Sequence, residues 1–117
     1  MYNRYLEKIT RLLAQARPKL ATTYRLEFKN CFGAVAGYVR GNIFISCGTF
    51  GIALKLPPKI LAILFKERDV KHLKYFPRGH IKKEYAVLPE RIIRDRRAAR
   101  KLVDESVAYV LSLRQQH

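Results

Sequence analysis

Residues 24–56 set the terms on which this chain can fold. Five of its six glycines fall here: Gly33, Gly37, Gly41, Gly48 and Gly51. Short segments rich in Val, Ile, Phe and Tyr run between them. β-Branched and aromatic side chains suit a pleated surface, and glycine punctuates it, so the stretch reads as strands and turns. Arg40-Gly41-Asn42 is the clearest turn, because Gly and Asn tolerate positive φ and both flanks are apolar. Gly48 and Gly51 bracket a second turn, after which Ile52-Ala53-Leu54 runs on as a strand. Within Tyr24–Phe28, Tyr24, Leu26 and Phe28 alternate with Arg25 and Glu27, the period of a half-buried antiparallel sheet. The Gly33-Ala34 pair is expected to bend a strand or admit a close backbone approach. A meander of about four antiparallel strands, each roughly five residues long, is the expectation. No phosphate loop is expected, since neither G-x-x-x-x-G-K-[ST] nor a complete G-x-G-x-x-G opens a helix.

Helical periods flank the meander. Over residues 2–17, Leu6, Ile9, Leu12, Leu13 and Ala16 recur at three-and-four spacing, with Arg4, Lys8, Arg11 and Gln15 elsewhere on the wheel. Asn3 is placed to cap this helix and Pro18 to stop it near Ala16 or Arg17. Pro57-Pro58 ends the fourth strand and opens a helix over 58–67, with Ile60, Leu61, Leu64 and Phe65 as its buried stripe. Glu84–Leu88 is the last strand, stopped by Pro89. Residues 90–94 form a helical turn. Asp95 then caps a final helix to about Leu113. Its inner stripe is Ala99, Leu102, Val103, Ser106, Val107, Val110 and Leu113; Arg97, Arg100, Lys101 and Asp104 fall on the other face. Phe32 and Phe44, each among apolar neighbours, are expected in the core. The order helix, strand meander, helix, strand, helix implies an α+β fold. It is read as a two-layer sandwich, one antiparallel sheet of about five strands with helices packed on it.

Several residues in this frame carry a family resemblance. Lys29-Asn30-Cys31-Phe32-Gly33-Ala34, then Tyr38, Gly41, Ile43-Phe44 and Ala53-Leu54-Lys55-Leu56-Pro57 follow one another in the meander. Further on comes Gly79-His80-Ile81-Lys82-Lys83-Glu84-Tyr85-Ala86-Val87-Leu88-Pro89. In order and spacing these segments resemble the amino-terminal domain of the TfoX/Sxy competence-regulator family. Cys31 stands where that family usually has Met, Ala34 where it has a second Gly, and Tyr85 where it has Trp. The resemblance covers nearly the whole chain, so residues 1–117 are read as a single TfoX amino-terminal-like domain. Full-length members of that family carry a further carboxy-terminal helical domain. The resemblance implies an α+β fold and a non-enzymatic regulatory or adaptor role, similar to regulators that act with the cAMP receptor protein on transcription. It supplies no catalytic residues.

Composition bounds the alternatives. The 117 residues suffice for one core. No apolar run reaches the roughly 18–20 residues that cross a bilayer, so no membrane association is expected. Arg4, Glu7, Lys8 and Arg11 break up any secretory leader, and the expected location is the cytoplasm. Two cysteines, Cys31 and Cys47, in apolar strand contexts read as small buried thiols, reduced and dispensable for function. His72 and His80 lack a Cys or acid at ligand spacing, so neither a metal site nor a cofactor is expected. No catalytic constellation stands out among the nine carboxylates or the nucleophiles. An enzyme of unknown reaction is therefore the least supported reading.

Charge is the remaining signal. Twenty-four Lys and Arg oppose nine Asp and Glu, a net charge of +15. Such an excess attracts a polyanion or an acidic partner protein. The alternative function is thus a stand-alone nucleic-acid-binding module. The densest cluster is Arg91, Arg94, Arg96, Arg97, Arg100 and Lys101, and Arg91, Arg94, Arg97, Arg100 and Lys101 are the expected phosphate contacts. Residues 66–83 hold nine Lys, Arg and His interrupted by Leu73, Tyr75 and Phe76. That mixture suits single strands, where bases stack and phosphates pair; it equally suits a wet loop whose aromatics tuck inward. A homodimer through an exposed edge strand is a further expectation on partners.

Overall fold

The computed structural model describes residues 3–114. Tyr2, which the sequence pattern places in the first helix, lies outside them. Helix α1 (Arg4–Ala16) begins where expected, with Asn3 Oδ1 accepting from the backbone N–H groups of Tyr5 at 2.9 Å and Leu6 at 3.2 Å. Its stripe Ile9, Leu12, Leu13 and Ala16 is buried. A single further turn, α2 (Leu20–Thr23), follows Pro18 and buries Leu20. It leaves no periodic signal because one turn is shorter than the period needed to reveal it.

The sheet has six antiparallel strands rather than about five. They are β1 (Leu26–Cys31), β2 (Ala34–Val39), β3 (Asn42–Gly48), β4 (Gly51–Lys55), β5 (Lys71–Leu73) and β6 (Lys82–Leu88). The spatial order is β1-β2-β3-β4-β6-β5. The extra strand is β5, inside the stretch read as a basic loop. Three residues, two of them Lys71 and His72, show no alternation. The ladder with β6, not side-chain pattern, makes it a strand.

Two hairpin turns have positive φ at both residues: Phe32-Gly33 (51° and 80°) and Arg40-Gly41 (49° and 79°). This pairing matches the right-handed twist of the flanking strands. The Gly33-Ala34 expectation is corrected accordingly: Gly33 is a turn residue and Ala34 begins β2. In the second turn the positive φ falls on Arg40 rather than Asn42. Asn42 opens β3, and its Nδ2 donates to the carbonyls of Val39 and Arg40.

Pairing of β2 with β3 shifts register after Gly37, which leaves Phe44 as the extra residue of a bulge. Phe44 and Ile45 both join the main core. The freed carbonyl of Phe44 accepts from the buried hydroxyl of Ser106 at 3.0 Å.

Helix α3 (Pro58–Leu64) joins β4 to β5, and α4 (Glu90–Arg94) and α5 (Arg96–Arg114) follow β6. Helices α1 and α5 pack on each other and on β3. Val35, Cys47, Ile52, Leu54 and Leu88 face them, together with Leu12, Leu13, Val103, Val107 and Val110. The opposite sheet face holds a smaller cluster of Ala53, Leu73, Tyr85 and Val87, against which Phe50 and Tyr75 pack. The fold is α+β, with the helical layer on one side of one sheet.

Candidate nucleic-acid interface

Helix α5 fixes most of the predicted cations. The Asp95 carboxylate accepts from the backbone N–H groups of Arg97 at 3.1 Å and Ala98 at 3.2 Å, which starts the helix in one register. Ala99, Leu102, Val103, Ser106, Val107 and Val110 are buried, so Arg97, Arg100 and Lys101 are turned to solvent. Arg96, Arg97, Arg100 and Lys101 make no ion pair among the described residues.

Arg91 stands apart from the others. Its guanidinium meets both oxygens of Asp69 at 2.7 and 2.8 Å and Oε1 of Glu67 at 2.5 Å. That two-point grip holds the Asp69 carboxyl below the usual carboxylate range. Arg91 therefore ties α4 to the loop after α3 and is already neutralised, which removes it from the set of free phosphate contacts. Arg94 lies 3.7 Å from Glu90, one helical turn back, an exposed pair of little strength.

The fold also divides the cluster. Arg94 lines a shallow groove with Lys8, Arg11 and Gln15 of α1. Arg100 shares a corner with Arg17, Pro18 and Lys19. Arg17 pairs with Asp104 and so ties the end of α1 to α5. Lys101 instead lies toward α3, on a cleft of about 370 Å³ whose apolar lining is Ile60, Ile63, Leu64, Ile92, Ala98 and Leu102. Glu67, Asp95 and Glu105 line it as well. Sequence reasoning missed Lys8, Arg17 and Lys19 as neighbours of the cluster. Spacing relates residues on one helix, not residues on two helices that pack together.

The second basic stretch divides as well. Tyr75 turns inward, while Phe76 is 52% exposed. Phe32 is corrected from core to surface: it is 66% exposed at the tip of the β1–β2 turn. From this turn its ring packs on Tyr75 and Phe76 at the surface, outside the helix-facing core. Phe44, by contrast, is fully buried as expected.

The cysteines are both free. Cys47 is buried as expected, and burial pushes its thiol up; the expected burial of Cys31 is corrected to half-buried, because it ends β1 beside the exposed turn. Among the described residues no group of three or more His, Cys, Asp or Glu is placed to hold a metal. No helix among them is long and apolar enough to cross a membrane.

Fold and site together define a basic α+β domain with a helical layer that presents unpaired cations. No protein-family model, curated protein or solved structure matches the chain.

Proposed function

We propose that the chain is a non-enzymatic regulatory domain that attaches to nucleic acid through its helical layer. The observation that carries this reading is the exposed, unpaired state of Arg96, Arg97, Arg100 and Lys101 on one well-anchored helix. Free cations carried on one helix release condensed counterions where they meet a phosphate backbone. Lys8 and Lys19 extend the positive surface beyond α5. Arginine adds two-point contacts to phosphate that lysine does not make. The binding is expected to be weakly selective for sequence, because phosphate contacts position a protein without reading bases.

A second reading, an adaptor for a regulatory protein, is favoured by the α3–α5 cleft. Its apolar lining, exposed Ile63 and charges of both signs suit a protein surface better than a phosphate backbone. The resemblance to TfoX-like regulators points in the same direction.

The test changes Arg97, Arg100 and Lys101 to Gln together and measures affinity for random duplex and single strands across a salt series. The salt slope is expected to fall by about one unit for each cation that no longer meets a phosphate. An unchanged slope in a folded variant removes α5 from the account. No binding by the wild type at low salt removes nucleic acid and leaves the adaptor reading.

A further inference from the structure

The outer face of the sheet carries a surface that the helical layer does not explain. The connection 74–81 leaves β5 at one edge and crosses toward the β1–β2 turn at the other. Along this path Tyr75 packs on Phe50, with ring centroids 5.7 Å apart, and on Phe32 at 5.5 Å. Phe76 meets Phe32 edge-on at 5.4 Å. Four aromatic rings from three separate segments thus form one patch, and Phe32 and Phe76 remain more than half exposed.

Neither core burial nor backbone preference accounts for Phe32. The first position of such a turn favours Asn, Asp or Gly, and a bulky side chain at positive φ is uncommon. The ring does not repay that cost by burial. Backbone cost of this sort, returned only by ring contacts at the surface with Tyr75 and Phe76, points to a role there.

The surroundings are cationic. Residues 70–83 contain no Asp or Glu. Lys74, Arg78, Lys82 and Lys83 are exposed and make no ion pair among the described residues. Arg78 lies inside the turn closed by the Gly79 N–H to the Phe76 carbonyl at 2.9 Å, two residues after Phe76. On the same sheet face Lys29 lies over the Tyr38 ring at 5.0 Å.

We infer that Phe32 and Phe76 form a stacking platform for unpaired bases of a single-stranded nucleic acid, with the cations of the 74–83 hairpin following its phosphates. The occupant is set by the pairing of exposed π faces with unopposed positive charge. Bases stack on the rings without a sequence requirement, because every base has a π face. The proposal rests on the nucleic-acid reading and adds to it a second, base-dependent contact on the opposite side of the molecule from α5.

The experiment compares a labelled oligothymidylate with an abasic strand of the same length and charge. Wild type is expected to bind the oligothymidylate more tightly. Phe32→Asn and Phe76→Ser should each weaken it about ten-fold, while leaving the abasic strand unaffected. Phe32→Tyr should restore binding, since the ring is kept. Phe32→Asn suits the turn, and Phe76→Ser gives an independent reading should that variant fold poorly. Equal affinity of wild type for the two strands, or wild-type affinity in both variants, overturns the platform. If the Gln-substituted α5 variant still shows a reduced salt slope in that case, phosphate binding survives and only stacking fails. Wild type that binds neither strand, and instead associates with itself through this patch in sedimentation, overturns both.

Discussion

The Tyr75 hydroxyl donates to Oγ of Ser46 at 3.1 Å, pinning the β5–β6 connection to the middle of the sheet. Ser46 lies in β3 and is fully buried. Burial also pushes the Tyr75 phenol up, so it remains a protonated donor at neutral pH. Tyr75→Phe keeps the ring but leaves a buried hydroxyl without this partner, which costs about 1–3 kcal/mol. Ser46→Ala should cost a similar amount. The double variant should lose less than the sum of the two, because removing both partners strands neither. Denaturant melts of the four proteins measure this; strict additivity would show that the bond does not hold the connection down.

Phe44 and Phe32 should respond to truncation by clearly different amounts. Phe44 occupies the bulge of β3, inside the main core. Phe44→Ala should destabilise by about 3–5 kcal/mol. Phe32→Ala removes ring packing on Tyr75 and Phe76 worth roughly 0.5–1.5 kcal/mol for each pair, and leaves the turn strain in place because alanine keeps the Cβ. Thermal melts should therefore separate the two variants clearly. A Phe44→Ala melt within a degree or two of wild type would contradict the core assignment.

The two thiols should react at different rates. Cys31 ends β1 and is half-buried, whereas Cys47 is buried between β2 and β4, with its thiol held protonated. A thiol reagent on the native protein should label Cys31 first and reach Cys47 only on unfolding, since the thiolate is the reactive form. Denatured, freshly purified protein should yield two free thiols. Replacement of either cysteine is expected to leave nucleic-acid binding unchanged.

Much of the fold is legible in the chain because it is written in local chemistry. Asn3, Pro18, Pro57-Pro58, Pro89 and Asp95 mark helix ends through backbone geometry and capping, which act over a few residues. Glycines and β-branched runs mark the meander for the same reason. The inner stripe of α5 follows from a period of 3.6 residues. What the chain does not disclose depends on residues far apart in sequence. Strand β5 exists because β6 offers it a ladder. Phe32 is exposed because the tip of the β1–β2 hairpin lies outside the helix-facing core. Arg91 is occupied because the loop after α3 brings Glu67 and Asp69 to it. Sequence alone determined that α5 would be basic on its outer face. Only the tertiary structure decided which of its cations are free, since charge neutralisation depends on distance in space, and distance in space is set by packing.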